Sequence, residues 1–245
     1  MLVSAAAIYG VGASSAFDYT RLQLEGVRFT DPAAVEAALA GTRGQNLFRL
    51  STGPIRASLV ALPTVKAAHV DVRLPGTLAV TIEERTPVLV WRVGSQRYLV
   101  DAEGTLFASL PDPPPAGARA LPVVDDRRVS STGLGVGRRL DAVDLDAATR
   151  LASLVPADVG SSAVSLAIRV TDQSGYVVDA RPAGWSAVFG FYTPSLRTTE
   201  LIPGQVRLLR SLLIGREQLV ERVILASATD GTYIPRSTPK PSKAP

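Results

Sequence analysis

Residues 62–87 read Leu62-Pro63-Thr64-Val65-Lys66-Ala67-Ala68-His69-Val70-Asp71-Val72-Arg73-Leu74-Pro75-Gly76-Thr77-Leu78-Ala79-Val80-Thr81-Ile82-Glu83-Glu84-Arg85-Thr86-Pro87. Val70, Val72 and Leu74 alternate with His69, Asp71 and Arg73, and beyond Pro75-Gly76 the alternation resumes at Leu78, Val80 and Ile82. A period of two belongs to a strand with one buried face. Two such runs around a Pro-Gly turn predict a β-hairpin. Its buried face needs a covering layer, and Pro87, with no N–H to offer a ladder, ends the sheet.

The cover is found upstream. Asp31-Pro32 reads as a helix start, because Asp31 can accept from free N–H groups and Pro32 loses nothing in the first turn. Val35, Ala38 and Leu39 then share one side, and Gly41 ends the helix. A second helix follows Ser51, with Ile55, Leu59 and Leu62 at helical spacing, and Pro63 closes it. Leu22, Leu24 and Val27 supply an earlier strand. Residues 20–86 therefore read as a βααββ unit.

Beyond Pro87 the texture changes to short strands at Val88–Val93, Arg97–Asp101 and Thr105–Ala108, a proline-rich link from Pro111 to Pro115, and a further run at Leu121–Val124. A helix is expected over Asp144–Val155. A meander follows at Val164–Val170, Tyr176–Ala180 and Trp185–Phe191. A second helix covers residues 203–214, and Leu219–Ala226 and Thr232–Ile234 form the last strands. The expected fold class is α+β: a βααββ domain, then a mixed β domain with two helices packed on an antiparallel sheet. The Pro/Ser/Lys stretch 236–245 reads as a disordered basic tail.

Composition excludes several functions. The 245 residues include no cysteine, so disulfides and thiolate metal sites are ruled out. The net charge of +4 is spread among alternating arginines and carboxylates, which is not the pattern of a nucleic-acid arm. His69 is the only histidine and falls on the polar face of its strand, so it reads as a solvated surface residue. Metal centres and Ser–His–Asp catalysis both need companions that it lacks. Lys66, the one lysine outside the tail, lies in a strand, and Asp125-Asp126 and Glu83-Glu84 are adjacent pairs whose members point to opposite faces. Gly133, Gly135 and Gly137 lack the setting of a phosphate loop. Trp91 and Trp185 read as core or seam residues, and Glu83 with Arg85 as a structural pair. No catalytic, cofactor or metal site is expected.

The pieces Val27 with Pro32, Gly44-Gln45-Asn46-Leu47-Phe48, Leu62-Pro63-Thr64-Val65, Val70–Arg73, Leu74-Pro75-Gly76-Thr77-Leu78 and Ile82-Glu83-Glu84-Arg85-Thr86-Pro87 occur in a specific order. In that order they resemble the single POTRA domain of the FtsQ/DivIB family of bacterial cell-division proteins. Tyr98–Gly104, Leu121-Pro122-Val123, Gly184-Trp185 and Gln205 with Leu208-Leu209 resemble the β domain of the same family more loosely.

The resemblance implies a partial, truncated membrane anchor at 1–19, a POTRA domain at 20–86, an FtsQ-type β domain at 87–235 and the tail beyond. Met1–Phe17 carry no charge but fall short of the roughly 20 apolar residues of a full span. It further implies a non-enzymatic, single-pass scaffold, anchored in the cytoplasmic membrane, with its bulk extracytoplasmic at the division septum. The implied partners are FtsB/DivIC-like and FtsL-like bitopic proteins, with other division proteins on the POTRA domain, no nucleic acid, and control of septal peptidoglycan synthesis as the outcome. The partner edge is expected at Arg222, Leu225, Ala226, Ser227, Thr229, Asp230, Gly231 and Tyr233, where proline at Ser227 or Thr229 would hinder strand pairing. The alternative is a POTRA-containing secretion or outer-membrane assembly factor. That class carries a barrel of many alternating strands with aromatic girdles, which 6% aromatics and two late helices disfavour.

Overall fold

The computed structural model describes residues 14–237, so most of the expected anchor, and the tail from residue 238, lie outside the described residues. The chain divides into two compact units between Thr86 and Pro87.

The first unit contains strand β1 (Arg21–Glu25), helices α1 (Pro32–Ala38) and α2 (Thr52–Val60), and strands β2 (Val65–Arg73) and β3 (Thr77–Glu84). The sheet order is β1-β3-β2, with β3 parallel to β1 and antiparallel to β2. This is the βααββ order that the alternation implied. Asp31 caps α1 by accepting from Ala33 N–H, with Pro32 in the first turn. Val35, Leu39, Ile55 and Leu59 from the helical segment pack on Ala68, Leu78, Val80 and Ile82 of the hairpin. The other sheet face is polar, and there Glu83 meets Lys66 at 3.4 Å while Arg85 Nε donates to Pro63 O.

Glu84 ties the end of β3 to the loop before α1. Its Oε1 accepts from three consecutive backbone amides, those of Arg28, Phe29 and Thr30, at 2.8, 2.8 and 2.6 Å. Desolvation raises its pKa, but these bonds together outweigh it and hold the carboxyl below its ordinary value. The chain reaches this cradle through Gly26, whose φ is +83° and where a Cβ would stand 2.1 Å from Ile82 O. Only glycine permits that approach.

The second unit holds β4 (Leu89–Val93), β5 (Gln96–Val100), β6 (Leu106–Ser109), β7 (Val123–Asp126), α3 (Ala142–Ala152), β8 (Ser165–Thr171), β9 (Gly175–Arg181), β10 (Ser186–Gly190), α4 (Ile202–Leu213), β11 (Val220–Leu225) and β12 (Gly231–Pro235). They form one nine-stranded sheet in the order β12-β11-β10-β9-β8-β7-β4-β5-β6. The α+β class and the two helices are as the sequence implied, but the sheet is mixed where it was expected to be antiparallel. β4 with β7, β7 with β8, and β10 with β11 run parallel. The physical reason lies in the helices themselves. Parallel neighbours cannot be joined by a tight turn, and α3 and α4 are the crossovers between β7 and β8 and between β10 and β11.

Both helices bury their apolar stripes in one core with Trp91, Trp185 and Phe189, all at most 1% exposed. The opposite face carries cross-strand ion pairs, Arg92 with Asp125 and Arg169 with Asp179, each at 2.7 Å. Arg236, assigned from sequence to the disordered tail, belongs to the fold instead. Its N–H donates to Leu219 O at 2.7 Å and its Nη2 to Ala183 O at 2.9 Å.

Tyr19 sets where the first unit begins. It is 3% exposed within the core, and its N–H donates to Gln45 O. A fragment of residues 14–86 is expected to fold with a dispersed amide spectrum. One starting at residue 20 should be less stable by about 2 kcal/mol in urea, the scale of burying one large side chain. Collapsed dispersion in the longer fragment would place the border elsewhere.

Candidate functional site

Asp125 and Asp126 are committed to structural hydrogen bonds, whereas His69 is not. His69 is exposed on the polar face, paired in register with Thr81. Asp125 and Asp126 do point to opposite faces. Asp125 binds Arg92 and Arg127, while Asp126 accepts from Trp91 Nε1 at 3.2 Å, Ser131 Oγ at 2.6 Å and Arg128 Nη2 at 2.7 Å. Burial raises the pKa of Asp126, but the bonds from Arg128 and Ser131 outweigh it, so the carboxyl stays below its ordinary range. Arg128 also bridges to Asp144, which accepts from Tyr176 O–H. Among the described residues no group of three or more His, Cys, Asp or Glu could hold a metal ion.

The two edges of the large sheet differ. At the β6 edge, Leu106 N–H donates to Arg138 O at 2.9 Å and Leu106 O accepts from Gly137 N–H at 2.8 Å, so the segment before α3 occupies it. At the other edge, no described strand lies beyond β12, whose five residues are all exposed. β12 pairs antiparallel with β11, with Tyr233 opposite Val223 and Gly231 opposite Leu225. Asp230 O accepts from Ser227 N–H, and Arg236 N–H donates to Leu219 O. Backbone groups alternate in direction along a strand, so Thr232 and Ile234 face β11 between those two anchors. Gly231 and Tyr233 turn their N–H and C=O groups outward. Pro235 adds a carbonyl but no donor. The open edge thus offers two N–H groups, a row that ends at proline.

The residues expected at this edge occupy different places. Arg222 is exposed on β11, opposite Ile234 on the helix-free face. Leu225 is 1% exposed in the core, so its side chain is not available to a partner. Ala226 to Asp230 form the hairpin turn, where Ser227 Oγ accepts from Thr229 N–H at 3.2 Å and Asp230 N–H at 2.9 Å. Proline at Ser227 or Thr229 would therefore break this turn and leave the outward donors in place. Gly231 and Tyr233 lie on the edge strand itself. Thr232 and Ile234, read from the sequence as strand but not among the expected contacts, complete its helix-free face, and Pro235 marks the strand's limit.

The entry to β11 is fixed by Glu217. Its carboxylate accepts from Ser161 Oγ, from Ser162 N–H at 3.0 Å, from Ser162 Oγ at 2.7 Å and from Trp185 Nε1 at 2.8 Å. Desolvation pushes its pKa up, yet the hydrogen bonds outweigh that and bring it to about 2. A depressed carboxylate stabilises the fold above its unfolded pKa of about 4.3. That contribution is lost as the pH falls toward the folded value of about 2. Glu217→Gln should cost about 1–3 kcal/mol at pH 7, read by urea denaturation. The gap to the unsubstituted protein should narrow from pH 4.3 downward, and a gap independent of pH would refute the carboxylate's role.

The family model of the FtsQ-type POTRA domain matches residues 18–85. The cell division protein FtsQ of Chloroflexus aurantiacus is 26% identical over 233 residues, which cover 95% of this chain and 75% of that protein. That of Mycobacteroides abscessus is 29% identical over 172 residues, covering 68% and 55%. That of Novosphingobium aromaticivorans is 30% identical over 147 residues, covering 60% and 41%. The first of these alignments runs through both compact units. With the βααββ unit and the mixed sheet in place, residues 18–85 match the FtsQ-type POTRA domain and the chain is similar along 95% of its length to a bacterial cell division protein FtsQ.

Proposed function

We propose that this chain is a non-enzymatic, extracytoplasmic scaffold of the division machinery, and that the open edge of β12 is where a partner chain adds a strand. The partners in this reading are FtsB/DivIC-like and FtsL-like bitopic proteins, and the outcome is control of septal peptidoglycan synthesis. The POTRA unit would meet other division proteins, and a membrane anchor would precede it. No described helix is long and apolar enough to cross a membrane. A secretion or barrel-assembly role is less favoured, because similarity to division proteins extends well past the POTRA unit.

The observation that carries the proposal is the contrast between the sheet's edges. Natural sheets normally blunt an edge strand to prevent unwanted pairing, and Arg138 with its neighbours does this at β6. β12 is left open, with Tyr233 and Ile234 about two-fifths exposed beside the row of free backbone groups. An added strand would gain main-chain hydrogen bonds netting about 0.5–1.5 kcal/mol each. Flanking side chains would supply selectivity. From the sequence-based set, the reading keeps Gly231 and Tyr233 as direct contacts and Arg222 as a neighbour on the helix-free face. Leu225 becomes core, and Ala226, Ser227, Thr229 and Asp230 become the turn that delivers the edge.

Tyr233→Pro removes an outward donor and leaves the inward ladder to β11 intact. It should weaken binding of the extracytoplasmic segment of the FtsB/DivIC-like partner by about tenfold or more, with little change in thermal unfolding. Tyr233→Ala, which keeps the N–H, should bind better than the proline variant. Full binding by Tyr233→Pro would place the interface elsewhere.

A further inference from the structure

The parallel pairing of β10 and β11 ends at Val188 and Ile224. One residue further on, two side chains fill the gap. Arg197 Nη2 lies 2.8 Å from both Phe189 O and Leu225 O. Gln205 Nε2 lies 3.1 and 3.0 Å from the same two oxygens. Arg197 Nη1 donates in addition to Ala226 O, the first residue of the hairpin turn.

The amide orientation of Gln205 is itself fixed. The side chain is fully buried, and its Oε1 accepts from Tyr192 O–H at 2.7 Å. Tyr192 also lies under Arg197, with the guanidinium carbon 6.0 Å from the ring centroid. The hairpin then rests on α4, where Gly204 leaves space for Ala228. A Cβ at residue 204 would stand 2.4 Å from the Ala228 Cβ.

We infer that Arg197 and Gln205 are positioning residues for the partner edge. They bridge the strand ends in place of a ladder rung, and they set the hairpin that delivers β12. Among the described residues, β12 is bonded on one side only, to β11, and all its residues are exposed. Its placement therefore depends on β11 and on the turn. A strand held in one place binds a guest at lower ordering cost than a frayed one. The side-chain clamp acts at the root of that strand without touching the guest. The inference rests on the edge-strand reading above.

The test uses the full chain with Arg197→Lys and Gln205→Leu. Lysine keeps the charge but loses the planar fork that reaches two carbonyls at once, and leucine keeps the bulk but loses the donor. Amide exchange at Thr232 and Ile234 should quicken by about tenfold or more, with Val178 in the sheet centre unchanged. Affinity for the FtsB/DivIC-like extracytoplasmic segment should fall by a similar factor. Tyr192→Phe, which only frees the Gln205 amide to rotate, is the milder variant and should show the same local pattern.

Unchanged exchange at Thr232 and Ile234 in all three would overturn the clamp. Faster exchange with full affinity would overturn its link to the interface. If the unsubstituted protein itself fails to bind the segment, the edge reading falls, while the exchange rates still decide whether the clamp sets β12.

Discussion

Two parallel strands cannot be joined by a tight turn, and the second unit is built around that restriction. Each parallel join that carries a helix places it on the same face of the sheet, where Ala147, Ala148 and Leu151 of α3 and Ile202, Leu209 and Leu213 of α4 meet one core. The helix-free face carries charge pairs instead. The α4 crossover also decides what lies at the border of the sheet. By laying β11 parallel to β10, it leaves β11 free to fold back through a short hairpin, and the returning strand has no further neighbour among the described residues. The exposed edge is thus a product of the connection and not of any special sequence in β12.

Such a connection leaves carbonyls at the ends of the parallel pair. A buried backbone oxygen without a donor costs about 1–3 kcal/mol, and here Arg197 and Gln205 supply the donors. Glu217 and Glu84 solve the opposite problem, gathering N–H and O–H groups at the entry to β11 and before α1. In each case a polar side chain, drawn from a distant part of the chain, completes backbone at a place where regular pairing stops.

That division explains what the sequence revealed. The hairpin from Val65 to Glu84 was legible because one face is buried and the other wet, so the period of two is printed in the residues. The helices were legible from Asp31-Pro32, Pro203 and their apolar spacing. The direction of β11 relative to β10 was not, because burial patterns are alike in parallel and antiparallel strands. Arg197 was equally silent, and Gln205 entered only through the resemblance, since a side chain that bonds to backbone leaves no pattern at its partner's position. The stretch expected as the partner edge divides among core, hairpin turn and border strand. Leu225 and Tyr233 look alike as apolar residues in a β-rich run, and only the register shows that one is in the core and the other half-exposed on the border strand.

The occupied edge at β6 has a bearing on assembly as well as on solubility. A sheet that can be extended at both borders can link copy to copy into an open filament. A sheet with one border shut can take up a single strand, and the growth then stops. If the strand comes from a second copy of the chain, the product is a closed twofold pair. If it comes from another protein, the product is one to one. On the proposed reading, the Arg138 segment lying against Leu106 would thus hold strand addition to the other border of the sheet.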